Sequence, residues 1–238
     1  MKLSYQQVRF FRDQGYLKIP RIFKNEYIDS LKKIVLGEIE NEVPPFVRDN
    51  EEKIVRLNSV LGRNEIFYRT FSCQSILDIM EALLGPNIII LKNRHNHATL
   101  NLNNSIPKRL HRDILQWSRS VVTLILYLED SSIENGCTEI IPGSHMFPFV
   151  GMPNNGGTWM DEYDIYKEFL GQSLPVPLEK GEILLFDSLI FHSVGENKTN
   201  DSRISITMGY HSVDELSKVT DPNKLLIHGS NIYKGSNL

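Results

Sequence analysis

Val121-Val122-Thr123-Leu124-Ile125-Leu126-Tyr127-Leu128 is a strand-length run dominated by β-branched, leucine and aromatic side chains, with no glycine or proline inside it. Such a run reads as a short β-strand. Residues 183–186 and 204–210 have the same character, and shorter β-like runs occupy 88–91, 99–102 and 140–141. Clusters of Gly, Asn and Pro separate them. Upstream of the stop Gly85-Pro86 the period changes from two to that of a helix. Ser4 is placed to cap a helix over about residues 5–13 that Gly15 ends, a short strand follows at 16–20, and Asn25 is placed to cap an amphipathic helix carrying Ile28, Leu31, Val35 and Ile39. Residues 43–62 carry no clear pattern, and Phe67, Phe71, Ile76, Met80 and Leu83 suggest one or two more helices. Helices first and strands second predict an α+β, mainly β fold around an antiparallel core.

The balance of 26 Lys+Arg against 29 Asp+Glu leaves a formal net charge of −3, so no global field favours nucleic acid or an anionic membrane. The apolar runs fall far short of the roughly 20 residues a membrane-spanning helix requires. Cys73 and Cys137 are the sole cysteines, and Met1 to Gln7 has no apolar leader core, which together favour a reducing, cytoplasmic location. Composition and patterning specify no oligomeric state.

Chemistry enters with the histidines at 95, 97, 111, 145, 192, 211 and 228. In extended chain His111-Arg112-Asp113 places an imidazole and a carboxylate on one face, because side chains alternate with period two. With one distant histidine this makes a two-histidine, one-carboxylate set, the arrangement of non-haem Fe(II) oxygenases. Taken alone, His-x-Asp marks a solvent-exposed loop pair more often than a metal site. Residues 181–192 read as turn, strand and His192, followed by a turn-rich stretch and a strand opening at Arg203. A turn centred between Asn197 and Lys198 would set His192 and Arg203 opposite each other across a hairpin. Arg203 would then be placed to clamp a carboxylate, or would be a sheet-edge charge.

These blocks, with Glu134-Asn135-Gly136-Cys137, Ile141-Pro142-Gly143-Ser144-His145 and the opening Phe10-Phe11-Arg12-Asp13-Gln14-Gly15-Tyr16-Leu17, resemble the phytanoyl-CoA dioxygenase family in order and spacing. The resemblance implies a double-stranded β-helix, a jelly-roll or cupin-like barrel with the amino-terminal helices packed outside. It further implies Fe(II) held by His111, Asp113 and His192, with 2-oxoglutarate as cosubstrate on the metal and its distal carboxylate on Arg203. O2 would split the keto acid to succinate and CO2 while a small-molecule substrate is hydroxylated. Halogenating relatives carry a small residue at the carboxylate position; Asp113 favours hydroxylation. Asn93, on the strand preceding the triplet, Thr123 and Thr207 are further candidate cosubstrate contacts. Where the family has a serine two positions after the distal histidine, Val194 stands.

The expected organisation is one oxygenase domain over 1–238: helical support at 1–85, the barrel at 86–212 with a lid loop at 146–180, and a tail at 213–238. Lys92, Arg94, Lys108, Arg109, Arg112 and Arg119 crowd a stretch with Asp113 as its one acid, which suits either a solvated loop or a rim attracting an anionic substrate such as a carboxylate, phosphate or coenzyme A ester. Two rival functions remain. A cupin-type metalloenzyme would use His95 and His97 without a keto acid, and a jelly-roll binding module would perform no chemistry. His145 is expected to satisfy backbone groups, His211 and His228 to be structural, and Cys137 to be a small buried filler.

Overall fold

The computed structural model describes residues 1–93, 95–103, 110–114, 121–147, 164, 168–169, 171–213 and 222–230. In chain order the elements are α1 (Tyr5–Gln14), β1 (Tyr16–Ile19), α2 (Asn25–Glu40), β2 (Phe46–Arg48), β3 (Ile54–Asn58), α3 (Val60–Arg63), α4 (Glu65–Phe71), α5 (Gln74–Leu84), β4 (Ile88–Leu91), β5 (Asn96–Asn101), β6 (Val122–Tyr127), β7 (Thr138–Ile140), β8 (Leu174–Val176), β9 (Ile183–Asp187), β10 (His192–Val194), β11 (Arg203–Ser212) and β12 (Lys224–His228). Ser4 caps α1 in a reciprocal capping box with Gln7, and Gly15 closes it at φ +80°, a conformation that favours glycine. The cap of α2 differs from expectation by one residue: Lys24 is the N-cap and lends no side chain, while Asn25 is already helical.

Among the described residues every strand pairing is antiparallel. The larger sheet runs β1-β9-β6-β11-β5-β3-β2, with β4 joining β11 and β12 joining β4; the smaller runs β10-β7-β8. The region expected to be helical support therefore also supplies three strands, and the C-terminal segment returns as β12 along β4. Two facing sheets with helices on one outer side make the jelly roll predicted from the sequence. Of the expected 146–180 lid, residues 148–163, 165–167 and 170 lie outside the described residues, and its end forms β8, an edge strand that tolerates Pro175.

β11 divides the molecule. Ile204, Ile206, Met208 and Tyr210 point one way, into the core shared with Phe11, Leu31, Phe71 and Ile79 of the helices and with Leu124 and Leu126 of β6. Arg203, Ser205 and Thr207 point the other way, into a cavity between the two sheets. Period-two alternation thus converts one strand into both a hydrophobic wall and a polar one.

The sequence-based hairpin between residues 192 and 203 does not form. His192 pairs with Ile140 in the smaller sheet, whereas Arg203 pairs with Asn101 in the larger, so the intervening segment crosses between sheets. A side-chain latch holds that crossing. The Asn197 amide, fully buried, donates to the carbonyls of Asn101 at 2.7 Å and Asp201 at 2.8 Å, and its oxygen accepts from the Thr199 amide at 2.9 Å. The Asn101 amide in turn donates to the carbonyls of Asn135 and Gly195. A Cβ on Gly136 would sit 2.2 Å from the Gly195 carbonyl, so only glycine permits this approach. Replacing Asn197 by alanine leaves the buried Asn101 carbonyl without its donor, at about 1–3 kcal/mol, while the partly buried Asp201 and Thr199 groups can turn to water. An Asn197→Ala variant is expected to lose about 1–3 kcal/mol of stability, read from its urea unfolding midpoint at unchanged slope.

Candidate metal centre

His111 and His192 come from distant segments and meet through a pair of backbone hydrogen bonds, His111 N–H to His192 C=O at 2.9 Å and the reverse at 3.0 Å. The same zipper continues with the Asp113 amide donating to the Ser188 carbonyl at 3.0 Å. It lays His111-Arg112-Asp113 along residues 188–192. Alternation then sends His111 and Asp113 into the cavity and Arg112 away from it. Arg112 is buried, donates to the carbonyls of Ser144 and Phe147, and stacks over the Phe191 ring.

Among the described residues, His111, Asp113 and His192 form the one group of three or more His, Cys, Asp or Glu side chains whose ligand atoms all lie within 4.8 Å of one another. The two oxygens of Asp113 divide their partners. Oδ1 faces His192 Nε2 at 3.5 Å and His111 Nε2 at 3.9 Å. Oδ2 accepts from the Thr123 hydroxyl at 3.1 Å and faces His95 Nδ1 at 3.5 Å. Thr123 in turn shares a 2.7 Å hydrogen bond with Ser188. His192 Nδ1 lies 3.1 Å from the Ile190 carbonyl, which can only accept, so the proton sits on Nδ1 and Nε2 keeps its lone pair for the cavity. Burial by itself would push the Asp113 carboxyl up, but the positive charge that His192, His95 and His111 carry when protonated and the Thr123 hydroxyl outweigh it and hold the group below its ordinary value. The carboxylate is ionised at neutral pH. With both imidazoles neutral, their two nitrogens and one carboxylate oxygen, converging on open space, would suit a divalent first-row metal.

Arg203 is only 3% exposed, and its guanidinium lies 5.6 Å from the Tyr127 ring with a buried Nε that has no hydrogen-bond partner. No carboxylate among the described residues pairs with it. A buried cation left unpaired is costly, so the site is set to receive an anion. Ser205 and Thr207 continue the same strand face, and all three line the cavity of about 660 Å³ that also holds His111, Asp113 and His192.

The remaining candidates fall in different places. Thr123 lines the cavity, but its hydroxyl is engaged by Asp113, so it orients that carboxylate where a cosubstrate contact was expected. Asn93 lies on the cavity rim, exposed and in the bend between β4 and β5; it is not on a strand as predicted. Of the expected basic rim, Arg112 is buried structure and Lys92 is exposed at the cavity, while Arg94, Lys108, Arg109 and Arg119 lie outside the described residues. His95 and His97 both line the cavity, but His95 precedes β5 with φ +47° and turns toward Asp113, so the pair does not form a cupin-type strand face. Gly209 clears the space for it, since a Cβ there would come within 2.9 Å of the His95 Cβ. His145 meets the Arg12 carbonyl at 2.9 Å, and Cys137 is buried. Arg56 on β3 also lines the cavity and stands in the stretch whose sequence carried no clear pattern.

The family model for phytanoyl-CoA dioxygenase (PhyH) matches residues 11–205, and the chain belongs to that family. Among curated relatives, rat peroxisomal phytanoyl-CoA dioxygenase is 23% identical over 238 residues, covering 89% of this chain and 69% of the relative. A Stutzerimonas stutzeri protein named "Probable alpha-ketoglutarate-dependent hypophosphite dioxygenase" is 25% identical over 233 residues, covering 88% and 79%. Among solved structures, EctD from S. alaskensis with 2-oxoglutarate and 5-hydroxyectoine superposes with a TM-score of 0.77 at 18% identity over 90% of this chain and 77% of EctD. The epimerase SnoN in complex with Fe3+, alpha ketoglutarate and nogalamycin RO gives 0.76 at 18% identity, covering 94% and 98%. These structural likenesses establish the jelly-roll fold.

The hydroxyl of Thr123 is the testable link between the fold and the candidate ligands. Thr123→Val keeps the side-chain shape and removes the donor to Asp113 Oδ2. The expected result is divalent-metal affinity weakened about 10–100-fold, measured by Mn(II) titration, with about 1–3 kcal/mol of stability lost because the buried Ser188 hydroxyl also loses its partner; equal affinity would deny Thr123 this role.

Proposed function

We propose that this iron- and 2-oxoglutarate-dependent dioxygenase of the phytanoyl-CoA dioxygenase family hydroxylates a small molecule between its two sheets, with His111, Asp113 and His192 holding Fe(II) and Arg203 holding the distal carboxylate of 2-oxoglutarate. The observation that carries this reading is the presence, in one cavity, of two imidazoles and a carboxylate whose ligand atoms converge and of a buried guanidinium with no acidic partner among the described residues. When bound, the metal and the keto acid supply the oxidising power: O2 is consumed, 2-oxoglutarate is split into succinate and CO2, and one oxygen atom enters the substrate.

The chain's residues organise that chemistry. His111, Asp113 and His192 would hold the metal from one side and so leave it accessible to a chelating keto acid and to O2. Arg203 fixes the far end of the keto acid, its planar fork matching a carboxylate. Thr207 and Ser205, on the same strand face, offer hydroxyls along the way. Phe186 packs against the His192 ring at 4.6 Å between centroids, and Ile125 and Val194 add apolar lining, which limits water near the reacting position. Val194 also means that any contact the family serine would have made to the cosubstrate is supplied by another group. Both cysteines are free thiols, in keeping with the reducing, cytoplasmic location read from the sequence. Among the described residues no helix is long and apolar enough to cross a membrane. Of the relatives named above, one acts by name on a coenzyme A ester and the other on hypophosphite, both oxyanion-bearing compounds, which supports an anionic substrate.

His111→Ala and Asp113→Ala are each expected to abolish Fe(II)-dependent succinate formation. Arg203→Ala is expected instead to raise the 2-oxoglutarate concentration needed by about 30-fold or more, as befits losing one partner of a buried charge pair. Anaerobic addition of 2-oxoglutarate to the Fe(II) protein should produce a weak visible charge-transfer band. Full succinate turnover by the Asp113→Ala variant, or binding of Fe(II) without any such band, would refute the assignment and leave the cupin-type or binding-module alternatives.

A further inference from the structure

Arg56 is the cation that the cosubstrate does not account for. It stands on β3 with its side chain lining the cavity, half-buried, and among the described residues it makes no hydrogen bond or ion pair. Burial pulls its guanidinium below the ordinary value, and the charge of Asp113 pulls it back up, so the two groups sense each other across the cavity. Asn58, two residues on and facing the same way, and Thr99, the cross-strand partner of Arg56, also line the cavity, and their side chains make no hydrogen bond among the described residues. Three polar side chains therefore converge with donors unspent.

Register separates this cluster from Arg203. Arg56, Thr99 and Ser205 lie in one row across β3, β5 and β11, while Arg203 is two residues earlier on β11. Two strand spacings put Arg56 about 10 Å across the sheet from β11, and one pleat repeat adds about 7 Å along it. A single small dicarboxylate chelated to the metal and held by Arg203 leaves the Arg56 corner open. Charge points the same way. A divalent metal, Asp113, dianionic 2-oxoglutarate and Arg203 cancel to neutrality. Asp113 is the one acidic residue among the described residues lining the cavity, so Arg56 stays uncompensated, joined by Lys92 at the rim.

We infer that Arg56, with Asn58 and Thr99, forms a second oxyanion subsite that binds the carboxylate or phosphate group of the substrate and so orients the carbon to be oxidised. Arg56 is a specificity-determining residue, distinct from the cosubstrate anchor. The inference rests on the iron and 2-oxoglutarate reading for what occupies the rest of the cavity.

The test compares the parent with Arg56→Gln and Arg56→Lys. Inorganic phosphate and butyrate are titrated calorimetrically, first into anaerobic protein carrying Fe(II) and 2-oxoglutarate and then into metal-free protein. At least one probe should bind the parent, bind Arg56→Gln tenfold or more weakly, and recover in part in Arg56→Lys; which probe responds tells phosphate from carboxylate. The dependence of the visible band on 2-oxoglutarate should be the same in all three. Equal probe affinity in parent and Arg56→Gln, or no probe binding to the parent, overturns the inference. A shift of the 2-oxoglutarate dependence in Arg56→Gln also overturns it, by making Arg56 a cosubstrate contact. Absence of the band in the parent counts against the iron reading, and the metal-free titration then decides on Arg56 separately.

Discussion

Two backbone hydrogen bonds between His111 and His192 hold the rest of the site in register. They join a loop segment to the start of β10 in antiparallel fashion and bring two imidazoles to a ring-centroid separation of 4.4 Å. Because the contact is made by main chain, side-chain alternation fixes the next two residues: Asp113 must face the same cavity as His111, and Arg112 must face away. Arg112 turns that necessity into structure by binding the carbonyls near Ser144, where His145 also holds the Arg12 carbonyl. The ligand segment is thereby tied both to the smaller sheet and to the outer helix.

The electrostatics of the cavity oppose folding and serve binding. The buried Arg203 guanidinium and the largely buried Asp113 carboxylate beside three imidazoles are each expensive to desolvate. The hydrophobic face of β11 and the helices behind it offset that cost, since Ile204, Ile206, Met208 and Tyr210 are fully buried beside the polar residues they alternate with. Anions and a metal entering the cavity satisfy groups that the protein leaves unsatisfied, so binding and stabilisation are coupled.

Much of this was legible in the sequence because it is local. His111 and Asp113 are two residues apart, and the apolar runs of β6, β9 and β11 announce themselves without tertiary help. The hairpin register of residues 192–203 was not legible. Counting from a turn assumes one sheet, whereas the buried Asn197 amide steers the chain from one sheet to the other. Arg56 was hidden for a related reason: β3 is a short strand whose identity comes from pairing with β5 and β2, and β5 is remote from it in sequence. Strand alternation gives the face on which Thr123 lies, but its partner, Asp113, arrives through the Ser188 contact that no spacing rule encodes.

That the imidazoles and carboxylate of one cavity hold the metal while Arg203 holds the keto acid is tested most directly by an anaerobic crystal structure of the protein soaked with Fe(II) and 2-oxoglutarate. The metal is expected on His111 Nε2, Asp113 Oδ1 and His192 Nε2, with the distal carboxylate on the Arg203 guanidinium. Metal held by His95 and His97, or 2-oxoglutarate lying with its distal carboxylate on Arg56, would rule this arrangement out.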